Sequence, residues 1–134
     1  MMDVFTREIV GVNVARYHTR FLVLGALEDA LRAHAAPTIV HSDQGSEYES
    51  ADFTSFVRMI GAEMSMSAKA SPWQNGYKES FYSHFKVEAG DLNRFETLGE
   101  LVEFIYHHIY YDNHHRIHSV LKMTPVEFRT RQSV

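Results

Sequence analysis

Short apolar strand segments alternate with stretches of helical periodicity along this chain of 134 residues. Residues 3–14 and 38–43 are rich in apolar and β-branched side chains, which is typical of strands. Between them, apolar residues recur at helical spacing over 20–34, where Thr19 can cap a helix and Pro37 ends it. Strands that alternate with helices predict an α/β fold in which helices cover a sheet.

The alternation continues to the end of the chain, and the helix starts are marked by capping residues. Residues 67–76 form a polar loop, the kind of segment in which binding groups concentrate. The further predicted elements are a helix from Ser50 to about 60, a strand over 62–66, a helix from Asn75 or Gly76 to about 88, and helices opening at Thr97–Glu100 and Thr124–Glu127.

Composition narrows the class of protein. The absence of cysteine excludes disulfides and thiolate metal sites and fits a reducing cytoplasm, where we expect the protein. No apolar run approaches the roughly 20 residues that span a bilayer, so we expect no membrane partner. The net charge of −4 is unusual for a DNA-binding module, because phosphate neutralisation favours basic proteins. Either the chain is no DNA binder, or it is the acidic catalytic part of a larger one.

Two acidic residues stand in distinctive settings, Asp43 in HSDQGSEY and Glu79 in SPWQNGYKES, with thirty-five residues between them. Asp43 follows a predicted strand, and ligand sites in open α/β sheets lie beyond the carboxyl ends of strands. An aspartate there can equally organise a turn through its own backbone, and both interpretations stay open. Paired carboxylates can hold hard divalent cations for phosphoryl transfer.

The helix predicted over 75–88 has two distinct faces at about 100° per residue. Tyr77, Phe81 and Phe85 form one apolar stripe, which we expect to face the core. The opposite face gathers four functional groups within about 60°, from Asn75, Glu79, Tyr82 and Lys86. For any single residue an ordinary solvated helix face is the more common arrangement, whereas four different groups in register after a polar loop favour an active-site wall. Both interpretations stay open.

Five histidines crowd into residues 107–118, and His114 and His118 have a spacing that zinc sites sometimes use. No cysteine and no HExxH sequence accompany them, which disfavours a zinc site. Contacts to backbone, phosphate or another subunit are the better interpretation of this cluster.

Three segments occur in order and together: HSDQGSEYESADF, MSMSAKASPWQNGYKESFYSHFKVE and YYDNHHRIHSVLKMTPVEF. They resemble the integrase catalytic core of bacterial insertion-sequence transposases, relatives of retroviral integrases, and the similarity runs from about Asp3 to Phe128. The resemblance implies a ribonuclease-H-like fold, a mixed sheet flanked by helices. It also implies that Asp43 and Glu79 are the last two of three acids that bind two Mg²⁺ or Mn²⁺ ions. We expect a catalytic core over 1–111 and a tail segment with a short helix over 112–134.

The chain departs from the family pattern at its start. DVFTREIVG, beginning at Asp3, matches the second strand of the family, and Asp3 matches a non-catalytic aspartate there. The first strand and the first acid are therefore expected to be missing, and activity and metal binding to be weak or absent. An uncovered sheet edge invites pairing between chains, so we expect a homodimer or higher self-association.

The implied function is DNA integration and transposition, by two-metal phosphodiester cleavage and strand transfer between transposon ends and target DNA. Two alternatives are a ribonuclease-H-like nuclease that cleaves without joining, and a non-catalytic remnant that binds DNA or itself. Candidate DNA contacts are Asn75, Lys78, Lys86 and Arg116. Lys78 could equally be a solvated helix residue, and Arg116 and His118 could equally pack the tail onto the core.

Overall fold

The structure, a computed structural model, describes residues 1–67 and 76–132. It contains two compact units, the first formed by Met1 with Val10–Gly76 and the second by Met2–Ile9 with Tyr77–Val134. None of the helices in the described ranges has the length and apolar character that crossing a membrane requires.

The first unit is a small parallel sheet with helices packed around it. Its strands pair in parallel with Ile39 opposite Glu63 and Ser42 opposite Met66. Its core is built from Val23, Leu27, Val40, Phe53, Val57 and Ala62. The elements in chain order are α1 (Arg20–Ala33), β1 (Ile39–Ser42), α2 (Ser46–Glu49), α3 (Ala51–Met59) and β2 (Glu63–Met66).

The predicted elements of this unit are confirmed within one or two residues, and the short helix α2 is an addition. Val23, Leu27 and Ala30 are buried along one stripe of α1, which is the predicted helical periodicity. Ser50 caps α3 as expected, since its hydroxyl accepts a hydrogen bond of 3.3 Å from the Phe53 amide.

The chain before α1 lies directly on that helix. A Cβ at Gly11 would fall 2.1 Å from the carbonyl oxygen of Ala26, so only glycine permits this approach. The Val12 amide next to it donates to the Asp29 carboxylate at 2.9 Å. These contacts fix the segment on α1 without a strand ladder.

The predicted strand over residues 3–14 is wrong. Asp3 instead organises a turn over Val4–Thr6, because its Oδ1 accepts hydrogen bonds from the amides of Phe5 at 2.8 Å and Thr6 at 2.9 Å. Only a single antiparallel bridge, between Met2 and Ile9, is formed there. A turn-forming carboxylate has overridden the β propensity of the apolar side chains around it.

The second unit contains helices α4 (Gly76–Ala89), α5 (Leu98–His114) and α6 (Pro125–Gln132), with a 3₁₀ helix at Leu92–Arg94. The predicted capping box of α5 is confirmed, with the Glu100 amide donating to the Thr97 hydroxyl at 3.1 Å. Thr124 accepts similarly from the Glu127 amide at 3.3 Å, at the start of α6. Helix α5 runs unbroken through residues 111 and 112. The expected boundary between a catalytic core over 1–111 and a tail segment over 112–134 stays a prediction.

Residues 2–9 are part of this second unit, where three side chains hold them. The side-chain amide of Asn113 accepts from the Ile9 amide at 2.8 Å and donates to the Ile9 carbonyl at 2.9 Å. Glu8, which is buried, pairs with Arg129 at 2.8 Å. The rings of Phe5 and Phe128 lie 5.4 Å apart. Asn113 therefore takes the place of a neighbouring strand by satisfying both backbone groups of Ile9.

The sheet of the described residues is smaller than expected. Its one ladder is the parallel pair β1–β2, and antiparallel pairing is limited to the bridges Met2–Ile9 and His118–Met123. The α/β class holds, with helices contributing most of the regular structure.

Candidate active site

Asp43 stands directly after β1, at the carboxyl end of the strand, as the sequence predicts. Along β1, Val40 and Ser42 are buried whereas Ile39 and His41 are exposed, so successive side chains alternate between core and surface. Asp43 itself is half-buried, and its Oδ1 accepts a hydrogen bond of 3.3 Å from the Gly45 amide. Asp43 therefore both follows the end of β1 and organises the turn after it.

The turn after Asp43 is tightly built. A Cβ at Gly45 would lie 2.7 Å from a carboxylate oxygen of Glu47, so a side chain at Gly45 would displace that group. Glu47 in turn pairs with His18 at 3.2 Å. On the neighbouring surface, His41 Nδ1 lies 3.0 Å from the Ser65 hydroxyl, which joins β1 to β2 through side chains. These contacts order the segment that carries Asp43.

Glu79 lies in the first turn of α4 and is exposed to solvent. Tyr82 and Lys86, which share its predicted face, are exposed as well, and so is Lys78. Asn75 and the other residues of 68–75, most of the segment predicted as a polar loop, lie outside the described residues. Glu79, Tyr82 and Lys86 therefore share a solvent-exposed face of α4, and its role as an active-site wall stays a prediction.

The opposite face of α4 packs on α5 through aromatic rings. The rings of Phe81 and Phe85 lie 5.5 and 5.2 Å from the imidazole of the buried His108, and Phe85 also contacts Phe104. Because Phe81 is two residues from Glu79, this packing directs Glu79 away from α5.

The prediction that Tyr77 joins the core stripe is wrong. Tyr77 is 52% exposed, and the guanidinium of Arg7 covers its ring.

Arg116, a candidate DNA contact, is engaged in ion pairs inside the second unit. Its guanidinium donates to the Glu88 carboxylate and lies 2.6 Å from Asp112. His108 Nδ1 lies 2.8 Å from the other oxygen of Glu88, and His118 Nε2 lies 3.6 Å from Asp112. This arrangement favours the packing alternative for Arg116 and His118 over a DNA contact.

The charges around Glu88 and Arg116 shift the pKa values of these two residues. Burial alone would raise the pKa of Glu88, but the hydrogen bond and positive charge of Arg116, aided by His108, outweigh burial and lower the pKa. Burial opposes the charge on Arg116, yet Glu88 and Asp112 raise the pKa of its guanidinium above the ordinary value. The cluster is therefore held as a charged network that ties the last turn of α4 to α5.

The other histidines of the tail also have local partners. His114 Nδ1 lies 3.0 Å from the Tyr110 carbonyl oxygen, and its ring stacks on the Tyr110 ring at 4.1 Å. The expected backbone contact is therefore found for His114. Sequence patterns could not assign these partners, because they depend on helix packing and not on spacing alone.

Asp43 and Glu79 offer carboxylate oxygens, the donors that hard divalent cations prefer. Asp43 belongs to the first unit and Glu79 to the second, and their pairing stays a prediction. Within residues 1–67 and 76–132, no group of three or more histidine, aspartate or glutamate side chains is gathered as a metal site. The chemistry of these two candidate donors fits Mg²⁺ or Mn²⁺.

Comparisons with known proteins agree with this arrangement of elements. Residues 1–72 match the family model of the integrase core domain, and residues 79–132 match a second model of that description. The chain is 35% identical over 131 residues to an uncharacterized transposase-like protein of Haemophilus influenzae, covering 96% of this chain and 61% of that protein. It is 38% identical over 136 residues to the transposase for insertion sequence element IS904 of Lactococcus lactis, covering 98% and 54% respectively.

Among solved structures, the fold is similar to the catalytic core domain of HTLV-2 integrase in complex with magnesium. The TM-score is 0.66 at 16% identity, over 95% of this chain and 80% of that one. This likeness confirms the ribonuclease-H-like integrase-core fold. The chain spans about half to three-fifths of the length of the curated relatives that it matches. With both halves matched by its models, the chain belongs to the integrase core domain family.

Proposed function

We propose that this chain is the catalytic-core segment of a transposase that cuts and joins DNA, with Asp43 and Glu79 as its metal-binding acids. Membership of the integrase core domain family carries this proposal. Asp43 supports it because ligands bind beyond the carboxyl ends of strands in α/β folds, and Glu79 supports it as an exposed carboxylate in the first turn of α4.

In this proposal, Asp43 and Glu79 would hold Mg²⁺ or Mn²⁺. Such ions would supply Lewis acidity for cleavage of a phosphodiester and attack by a 3′-hydroxyl. The Gly45 amide orients the Asp43 carboxylate through its hydrogen bond. Helix α4 presents Glu79 to solvent because Phe81 and Phe85 anchor its other face on α5. The magnesium bound to the HTLV-2 integrase core supports this choice of cation.

The DNA substrate would run along the exposed face of α4. Lys78 and Lys86 are exposed there, one on either side of Glu79 in sequence, and lysine ammonium groups contact phosphates. Asn75 remains a candidate contact from the residues just before the helix. Arg116 is proposed instead as the residue that secures α4 to α5 through Glu88.

Self-association is a further part of the proposal. The HTLV-2 integrase core is described in dimeric and trimeric forms, which supports a homodimer or higher oligomer for this chain. Light scattering of the purified chain over a range of concentrations would test it. A mass that stays at 15.5 kDa at high concentration would contradict self-association.

Metal binding by isosteric variants tests the proposal directly. Mn²⁺ titrated calorimetrically into the protein should bind, whereas Asp43→Asn and Glu79→Gln should weaken that binding at least about tenfold by removing a ligand charge. The control is Glu103→Gln, which removes an equally exposed helical carboxylate on α5.

Cleavage and joining of a labelled duplex in Mn²⁺ would then distinguish the two reaction types. Joined product that disappears in both acid variants supports a transposase core, and nicking without joining indicates a nuclease. Unchanged Mn²⁺ affinity in Glu79→Gln would overturn the assignment of Glu79.

A further inference from the structure

Arg7 occupies an unusual position beside α4. Its guanidinium carbon lies 3.5 Å from the centroid of the Tyr77 ring, in a close cation–π contact. Tyr77 is in the first turn of α4, two residues before Glu79. The Arg7 side chain is therefore held at the end of α4 that carries the proposed metal-binding acid.

The backbone of Arg7 is strained to achieve this position. Its φ is +65°, in the left-handed region that glycine and asparagine adopt most readily. A turn alone would favour one of those residues. Arginine is uncommon at this dihedral angle, and its amide donates to the Asp3 carbonyl at 2.8 Å within the turn.

The charge of Arg7 is not neutralised by a carboxylate in the described part of the chain. Arg20 also lies over an aromatic ring, but Asp52 pairs with it at 2.5 Å. Arg116 over Tyr111 pairs with Glu88 and Asp112. For Arg7, the described partners are the Tyr77 ring and the Val4 carbonyl, which takes one of its five N–H donors. As far as residues 1–67 and 76–132 are concerned, the remaining donors and the charge can serve an anion.

We infer that Arg7, pre-positioned on the Tyr77 ring, binds a phosphate of the DNA strand that passes Glu79. The inference rests on the proposed function for the identity of the anion. A planar guanidinium whose carbon is held 3.5 Å from a ring centroid still carries a fork of N–H donors, which suits phosphate oxygens. Because the chain carries a net charge of −4, a few local cations such as this one must supply its phosphate contacts.

Fluorescence anisotropy of a labelled DNA duplex, in EDTA and over a series of NaCl concentrations, tests this contact. Each phosphate contact contributes about 0.9 to the slope of log affinity against log salt. Arg7→Gln should lower the slope by about that amount, whereas Arg7→Lys keeps the charge and should keep the slope at reduced affinity. Tyr77→Ala should weaken binding several-fold, and Tyr77→Phe, which keeps the ring, should bind as the wild type does.

Arg94 provides a matched control. It is an exposed arginine of the same unit, stacked over Phe95 and Phe104 at 4.7 and 5.0 Å. It follows the far end of α4, a helix of 14 residues that is about 21 Å long. Arg94→Gln should therefore leave the salt slope unchanged.

Three results would overturn the inference: a wild-type slope for Arg7→Gln, an equal loss of slope for Arg94→Gln, or an absence of salt-dependent binding by the wild type. Should Arg7→Gln fail to fold by circular dichroism, wild-type affinity in Tyr77→Ala would overturn it. Because binding is measured without metal, these results are separable from a failure of Mn²⁺ binding or cleavage.

Discussion

Glu88 is the residue at which the charged groups of the second unit converge. One of its oxygens accepts from Arg116 and the other lies 2.8 Å from His108, while Asp112 holds the far side of Arg116. Glu88 is nine positions after Glu79 on the same helix. Its ion pairs therefore fix the rotation of α4, and with it the direction in which Glu79 points.

Glu88 should make the stability of the protein depend on pH. Its pKa is lowered in the folded state from an ordinary value of 4.5, so its contribution is present above 4.5 and is lost as the pH falls below that value. Thermal unfolding should be measured at pH values above and below 4.5. The melting temperature should fall less on acidification for Glu88→Gln than for the wild type. Glu103→Gln is the control and should parallel the wild type. Parallel curves for wild type and Glu88→Gln would contradict the expectation.

At the scale of elements, two helices begin with threonine in the same backbone conformation but differ in capping. Thr97 accepts from the Glu100 amide, whereas the Thr19 side chain makes no capping hydrogen bond. Thr97→Ala should lower the free energy of unfolding by about 1 kcal/mol, because it leaves a helix-end amide unpaired. Thr19→Ala should change it by less than about 0.5 kcal/mol. Urea denaturation measures both, and equal losses would show that the capping bond of Thr97 is not the cause.

The helices could be predicted because their signals are local. Ser50, Thr97 and Thr124 mark helix starts through their hydroxyls, Pro37 disfavours continuation of a helix, and the structure places the helix ends within a residue or two of the prediction. Residues 3–14 could not be predicted in this way. Their apolar composition favours a strand, but a strand needs a partner that the sequence does not identify, and the Asp3 carboxylate favours a turn.

The site was predictable only in part, for a related reason. Asp43 and Glu79 stand in motifs whose spacing can be read from the sequence, and their positions at a strand end and on an exposed helix turn are confirmed. The contact between Arg7 and Tyr77 joins residues seventy positions apart through a strained backbone. No periodicity or capping signal predicts such a contact, because it depends on how distant segments pack.

At the scale of the whole molecule, the first unit depends on a compact core around Phe53. Its ring is fully buried and packs edge to face on Tyr48, with centroids 5.4 Å apart. Phe53→Ala should lower the free energy of unfolding by about 3–5 kcal/mol, because it removes apolar contacts and leaves a cavity. Chemical denaturation with hydrogen exchange of the first-unit amides measures this loss.

Phe21→Ala provides the comparison, since that ring is 63% exposed on α1. It should change stability by less than about 0.5 kcal/mol. A small effect of Phe53→Ala would show that the core tolerates a cavity at its centre.

Two hydrogen bonds join Ile9 to Asn113, which lies 104 positions later in the sequence. The segment around Ile9 must therefore wait for this partner while the protein is being synthesised. During synthesis, residues 2–9 leave the ribosome about a hundred residues before Asn113, Phe128 and Arg129 do. At about 5–20 residues per second, the wait for Asn113 is roughly 5–20 s. Throughout that interval residues 2–9 lack these partners and are open to proteases and to neighbouring nascent chains. The second unit can be completed only after α6 has emerged.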